Sequence, residues 1–347
     1  MPPDRPVPDG GSPPTEVAPG VFRLVLPLGI HGIVSVNAYL LTDSGGDTLV
    51  DCGIAVADES GSAADDGTSL LAAALAACGS SFERLRRLVV THAHIDHYGL
   101  AGAVVERSSA DLWMHVETNR DRRKYEDPSS SVDRRTAMLA DHGLYGEMLE
   151  EASSGLRSWM PVMPSIGQPT TVLQGGERFD AGGRSWQVVP TPGHSPGHVC
   201  LWSVTDRLLC SGDHLLKNIS PPVTFERGFE RDPMGSYLMS LETVRRLAPA
   251  LVLPGHGDVF ADGAGRATAI ENGKRKRLEQ VLELISEPAG RTVNDLTADV
   301  FRMRLTGAQT HFAVAEVLAY LAYWEMRGLA YRERGPDGVY VWHPSTT

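Results

Sequence analysis

The sequence predicts an α/β fold of stacked sheets and helices, closed by a small helical domain at its C-terminal end. Three observations predict it. Short β-rich runs alternate with helix-period segments over the first three quarters of the chain, as layered α/β folds require. Several of those runs end in tight loops that carry His or Asp: THAHIDH, TPGHSPGH, CSGDH and LPGHGD. From about residue 266 the pattern turns helical and finishes on a hairpin signal.

Each element follows in order. Residues 1–19 are rich in Pro and Gly and read as a disordered tail. They hold no apolar stretch of secretory type, and no run of roughly 18 apolar residues occurs later, so a cytoplasmic protein without a membrane span is expected. VFRLVLPL (21–28), VNAYLLT (36–42) and DTLVDCG (47–53) read as strands. SLLAAALAAC (69–78) reads as a helix with Gly79 just past its end. The strand LRRLVVT (85–91) runs directly into the His cluster, and helical GLAGAVVERS (99–108) and the strand DLWMHV (111–116) follow.

Residues 117–170 interrupt this alternation and read as a helical, lid-like insertion. Its Met138, Leu144, Tyr145, Met148, Trp159, Met160 and Met163 would pack it onto the body or line an apolar acyl pocket. Strands resume at SWQVVPT (185–191), HVCLWSV (198–204) and RLLCSGD (207–213), then a helix at 236–248 and the strand and loop LVLPGHGD (251–258). The division is therefore a catalytic domain over 20–265 and a C-terminal domain over 266–347. The latter has helices at 274–287, 294–301 and 311–328, and a hairpin around Pro336-Asp337-Gly338.

Charge narrows the function. The 347 residues carry a net charge of −11, and residues 1–265 hold 33 acidic against 21 basic side chains. Neutralising phosphates needs the opposite balance, so nucleic acid is not the expected partner. KRKR (274–277) could touch phosphate, but residues 266–347 carry 11 Lys/Arg against 10 Asp/Glu, and the helix 311–328 sets only Arg327 against Glu316 and Glu325. A packing or homo-oligomerisation element is the better reading of this region. Cys52, Cys78, Cys200 and Cys210 form no CxxC pair and sit in apolar contexts, which suits free thiols in a reducing compartment.

The His cluster carries the chemistry. His92 and His94 are two apart just past a strand end, and in extended backbone such side chains point the same way, so both can reach one ion. Asp96 and His97 follow as the chain turns helical and can face a second ion beside it. Imidazole with carboxylate suits Zn, Fe or Mn better than Ca or Mg. Four ligands do not complete two sites. The other loops offer His194 or His198, Asp213 or His214, and His256.

Taken in order, HAHIDH, TPGHSPGH, SGDH and LPGHGD resemble the metallo-β-lactamase-fold hydrolase superfamily over residues 20–265. The TPGHSPGH and LPGHG contexts look closest to its glyoxalase II-like (hydroxyacylglutathione hydrolase-like) branch. The C-terminal helices and hairpin resemble the winged-helix-like tail of the β-lactamase-like-protein-2 group, which includes ribonucleases. The resemblance implies a four-layer αβ/βα sandwich and two divalent ions, zinc first, with iron or manganese as alternatives. By position, His92, His94 and His194 would hold the first ion. Asp96, His97 and His256 would hold the second, and Asp213 would bridge them. A hydroxide between the ions would attack a small acyl substrate, with Asp96 orienting it or moving its proton. Asp51 and His214 would support the ligands from behind. Lys217 is either a contact for a substrate carboxylate or a surface lysine.

Three departures shape the substrate expectation. After Asp213 the chain reads HLLKNISPPVTFE, unlike the Gly/Arg/Phe-rich glutathione-binding stretch of glyoxalase II. Quorum-quenching lactonases place a Tyr where this chain has Leu215 and Leu216, and class B β-lactamases have a Cys where Asp213 stands. Hydrolysis of a small thioester or ester is the first reading; a lactonase and a single-strand endoribonuclease are the alternatives.

Overall fold

The structure is a computed structural model that describes residues 12–30, 33–55, 68–159, 163, 165–286, 290–302, 305 and 307–345. Two sheets pack face to face with helices on both outer sides. The first has seven strands in sequence order: β1 (Thr15–Ala18), β2 (Val21–Ile30), β3 (Ile33–Leu41), β4 (Asp47–Val50), β5 (Leu85–Val90), β6 (Asp111–His115) and β7 (Thr171–Leu173). Pairing is antiparallel from β1 to β4 and parallel from β4 to β7. The parallel crossovers carry α1 (Ser69–Ala77) and, after a single turn α2 (Ile95–Tyr98), the helix α3 (Ala101–Ser108).

The second sheet consists of β8 (Arg178–Ala181), β9 (Arg184–Pro190), β10 (Val199–Ser203), β11 (Leu208–Gly212), β12 (Leu251–Pro254) and β13 (Phe260–Ala261), in the order β13-β12-β11-β10-β9-β8. Only β11 and β12 pair in parallel, joined through α7 (Pro233–Leu247), while α4 (Val116–Asp121), α5 (Pro128–Asp141) and α6 (Gly146–Trp159) fill the insertion. The C-terminal part is α8 (Gly263–Ile285), α9 (Val293–Phe301), α10 (Ala308–Glu325) and the hairpin β14 (Ala330–Arg334) to β15 (Tyr340–Pro344).

Strand periodicity explains the layering. Central strands are buried on both faces, so they read as continuous apolar runs, and alternate residues serve different cores. Tyr39, Leu41, Val50 and Val89 face between the sheets with Trp186, Val188, Val199, Leu201 and Cys210. Leu40, Leu49, Leu88 and Val90 face outward onto α1 and α3. Cys200, Trp202, Leu209 and Val252 face the other way, onto α7 and α8. This is the four-layer αβ/βα arrangement. The buried Trp186 indole donates to Ala181 O at 3.0 Å, so its polar edge costs nothing unpaired.

The expectation for the tail needs correction. The tail expected over 1–19 is ordered by residue 15: β1 pairs with β2, Thr15 opposite Arg23 and Glu16 opposite Phe22. An available sheet edge outweighs the Pro/Gly composition around it. Residues 1–11 of that tail lie outside the described residues. The division expected at 265/266 falls in the first turn of α8, and one core runs across it. Met138 and Leu144 of the insertion, Trp202 and Leu209 of the second sheet, and Val314, Leu318 and Trp342 of the C-terminal part share that core. In the insertion, Tyr145 (80 % exposed) and Met148 point to solvent, and Met163 packs on the other core. Met160, the Trp159 side chain and His31 lie outside the described residues. All four cysteines are free thiols, three of them buried. Among the described residues no helix is long and apolar enough to cross a membrane.

Candidate metal centre

The parallel pair β4–β5 sets up the first half of the centre. At the end of β4, Asp51 takes a left-handed backbone (φ 58°), a conformation Asp tolerates better than most residues. This turn brings its carboxylate beside the end of β5. Asp51 Oδ1 accepts from Thr91 N at 2.8 Å, and Oδ2 accepts from Thr91 Oγ1 at 2.8 Å and from His97 Nδ1 at 2.8 Å. Because the Thr91 hydroxyl spends its proton on Asp51, its oxygen takes the Nδ1 proton of His92 at 3.0 Å. That assignment leaves the Nε2 lone pairs of His92 and His97 free to face the centre. The backbone stays extended through His94 (φ −73°, ψ 148°) and turns helical at Ile95, which places Asp96 and His97 on the first turn.

The second half comes from loops at the edge of the other sheet. His194 donates Nδ1–H to Pro222 O at 2.7 Å, and His256 donates Nδ1–H to Ser35 O at 2.8 Å. Both therefore present Nε2. Gly255 has to be glycine: a Cβ there would collide with Asp213 Oδ1 and His97 Cε1. The β12 loop can reach the centre only because position 255 carries no side chain.

All seven expected ligands converge, in two sets. His92 Nε2 and His194 Nε2 lie 3.0 and 3.1 Å from His94 Nδ1. Asp213 Oδ2 is 3.7 Å from His194 Nε2. In the other set, Asp96 Oδ2 is 3.2 Å from His256 Nε2 and 3.8 Å from His97 Nε2. Within each set, {His92, His94, His194, Asp213} and {Asp96, His97, His256}, the ligand atoms all lie within 4.8 Å of one another.

The donor chemistry fits two cations. His97 Nε2 and Asp213 Oδ1 are buried with no hydrogen-bond partner, a costly state that a cation would relieve. Burial, with neighbouring imidazoles adding to it, holds His92 well below its usual pKa; burial likewise lowers His94 and His194, so all three stay neutral, the form that binds metal. At His256 burial is outweighed by Asp213 and Asp96, which raise it to about 10. Burial also fails to discharge Asp213, because His256 and His97 hold its carboxyl well below the usual range. The buried carboxylates of Asp51 and Asp213 and the part-buried Asp96 thus gather around imidazoles, with Asp213 and Asp96 facing the ring nitrogens of the ligands.

The remaining expected residues are placed differently. His198 is buried and structural: its Nε2 accepts from Asp213 N at 3.2 Å and its Nδ1 meets Thr191 Oγ1 at 2.8 Å. His214, expected to support the ligands, hydrogen-bonds none of the seven. It packs between the rings of His198 and Tyr237. The turn after Asp213 carries it away from the centre into the helix-covered core. Lys217 is 42 % exposed on its side chain and pairs with Asp258 at 3.9 Å. His115 caps α4 by accepting from Glu117 N. Sequence reasoning missed Thr91, whose position directly before HxHxDH was its only signal, and the carbonyls of Ser35 and Pro222, which carry none.

The chain is similar to known proteins in sequence and in fold. The family model described as "Metallo-beta-lactamase superfamily" matches residues 31–256, and "Metallo-beta-lactamase-like, C-terminal domain" matches residues 278–345. A beta-lactamase domain protein from Burkholderia ambifaria is similar in structure at a TM-score of 0.81 and 30% identity, over 98% of this chain and 96% of its own. A metallo-beta-lactamase family protein from Thermus thermophilus is similar at a TM-score of 0.77 and 28% identity, over 95% of this chain and 100% of its own. The beta-lactamase-like protein 2 homolog of Drosophila melanogaster is 32% identical over 126 residues, which is 35% of this chain but only 39% of that protein.

Proposed function

We propose, from the premise that this chain belongs to the metallo-beta-lactamase superfamily, that it is a dinuclear metal-dependent hydrolase of a small thioester or ester. The observation that carries the reading is the place of Asp213. Its Oδ2 lies 3.7 Å from His194 Nε2 and 3.4 Å from His256 Nε2, and its Oδ1 lies 3.4 Å from His97 Nε2, so one carboxylate faces both sets. His92, His94 and His194 would hold one ion, Asp96, His97 and His256 the other, and Asp213 both. Two divalent ions there, zinc before iron or manganese, would lower the pKa of water to about 7 and offset negative charge developing on an attacked carbonyl.

The chain's own groups do the rest. Asp51 fixes the tautomers of His97 directly and of His92 through Thr91. Asp96 sits at the centre with Oδ2 on His256 Nε2, placed to accept the proton of an attacking water and return it to the leaving group. An acyl substrate of glyoxalase II-like type suits a chain that keeps an aspartate at 213. Leu215 and Leu216 are both buried, so neither position can offer a hydroxyl to a lactone. An RNA substrate is disfavoured by KRKR itself. Lys274 is buried against Glu316, and Arg277 donates to Val300 O and Gln280.

The test is a substrate panel on zinc-replete protein: acyl-thioesters, an aryl ester, a homoserine lactone, nitrocefin and single-stranded RNA. Thioester turnover is expected. It should fall at least about 100-fold in Asp96→Asn, and chelator should remove it and zinc restore it. RNA cleavage with silent thioesters would overturn the reading.

A further inference from the structure

We propose that Lys274 is a positioning residue of the metal centre, acting through the Pro221-Pro222 step on His194. The inference rests on the two-ion reading above. It starts from a residue in the wrong place. The buried stripe of α8 is Ala267, Ile270, Lys274, Leu278, Val281 and Ile285, the three- and four-residue spacing of an apolar helix face. Lys274 stands in the middle of it, 4 % exposed. A Met or Leu would fill that position without desolvating a charge, and a buried ion pair is weak grounds for stability. Stability therefore does not account for an ammonium there.

What the ammonium touches does account for it. Lys274 Nζ donates to Pro221 O at 2.9 Å and pairs with Glu316 of α10 at 2.5 Å. Glu316 also accepts from Tyr320 OH at 3.0 Å, which fixes its carboxylate. The next carbonyl along, Pro222 O, accepts the Nδ1 proton of His194 at 2.7 Å. Neighbouring carbonyls of one diproline thus take one donor from the C-terminal helices and one from a ligand. Proline fixes φ and offers no N–H, so this strut bends little and no sheet ladder can hold it. Other contacts hold the same stretch. Arg266 of α8 donates to Leu216 O and Ile219 O at 2.7 and 2.8 Å, and Phe225 N donates to Ala315 O of α10 at 2.9 Å.

Among the described residues, the two imidazoles of the other ligand set are held without the C-terminal helices. His97 leans on Asp51 and His256 on Ser35 O, both at the first sheet. The brace therefore acts on one ion of the two. By linkage, whatever the brace adds to ion binding, the ion adds to the docking of α8 and α10.

The experiment is a cobalt titration of the full chain with chelator competition, read by visible absorption, on wild type, Lys274→Met/Glu316→Gln and Lys274→Arg. The double variant removes the donor to Pro221 without leaving a buried unpaired charge, and Gln keeps an acceptor for Tyr320. One of the two ions should bind about tenfold more weakly in the double variant, the scale on which outer partners of ligands act. The other ion should be unchanged, and Lys274→Arg should restore most of the loss. Unchanged affinities in a folded double variant would overturn the proposal, as would equal weakening of both ions together with a lowered melting temperature. Hydrogen exchange on wild type needs no variant to fold: zinc should raise protection around residues 270–278 and 312–320, and no change there would overturn the brace. Wild type that takes up fewer than two ions would overturn the two-ion reading itself, and the exchange measurement would still judge the brace separately.

Discussion

The two halves of the metal centre are held by different means. The half at the end of β5 packs four candidate ligands into six residues, His92 to His97, and is tied by the Asp51 carboxylate one strand away. The half at the edge of the second sheet supplies one residue per loop and orients its imidazoles with main-chain carbonyls, Pro222 for His194 and Ser35 for His256. A carboxylate anchor is strong and local. A carbonyl anchor is only as well placed as the chain that bears it, so His256 takes its precision from β3 while His194 rests on a loop that takes a donor from α8.

The largest effect should come from breaking the first half. Asp51→Ala strands three buried donors and puts a Cβ-bearing residue without a polar side chain at φ 58°. A loss of about 3–5 kcal/mol in urea denaturation is expected, with at least a tenfold loss of zinc affinity. Asp51→Asn keeps the backbone and should lose affinity with a smaller loss of stability.

A second effect should fall on the side of the C-terminal helices. His142 is buried against Tyr340 and Trp342 of the hairpin, and His311 is buried at the start of α10. Burial first, then Arg227 beside His142 and Arg135 beside His311, lower both to about 3. The unfolded value is near 6.5, so both groups are neutral in either state above that pH and their favourable contribution is complete there. As pH falls from 6.5 toward 3 the unfolded chain takes up protons that the folded chain refuses, and stability declines. Each of His142→Gln and His311→Gln should remove roughly 2 kcal/mol of the decline between pH 6.5 and 4.5, read from denaturation curves at a series of pH values. A decline as steep in the variants as in wild type would mean that these two groups do not set it.

The smallest effect belongs to Lys217. Its pair with Asp258 is long and solvent-exposed, so Lys217→Ala should shift stability by less than about 0.5 kcal/mol. Its kcat/KM should also be unchanged. A several-fold rise in KM alone would make it a contact for the substrate.

Much of the first half is legible in the sequence because it obeys local rules. Two-residue spacing past a strand end aligns His92 with His94, and the turn into α2 aligns Asp96 with His97. The ligands of the second half can be read from their Gly- and Pro-bearing loops, but not what holds them, since Pro222 and Ser35 act through atoms every residue possesses. β1 is hidden because TEVA lies among prolines and glycines and gains its order from the β2 edge. Lys274 reads as part of the basic run KRKR that could touch phosphate, and the structure buries it against Glu316. The signal is present, since it continues the spacing of Ile270, Leu278 and Val281, but a charge run draws attention to its charge rather than to its helix face.

The continuity of α8 bears on how such a chain can vary over descent. The two family matches end at residue 256 and resume at residue 278, while the helix runs unbroken from Gly263 to Ile285. Exchange of tails between relatives must therefore join one helix to another in register. A single-residue insertion between Arg266 and Lys274 would rotate one against the other by about 100°, and both could no longer reach the same loop. Point substitutions in this stretch can be neutral, but insertions and deletions should be selected against far more strongly than in the surface turns on either side.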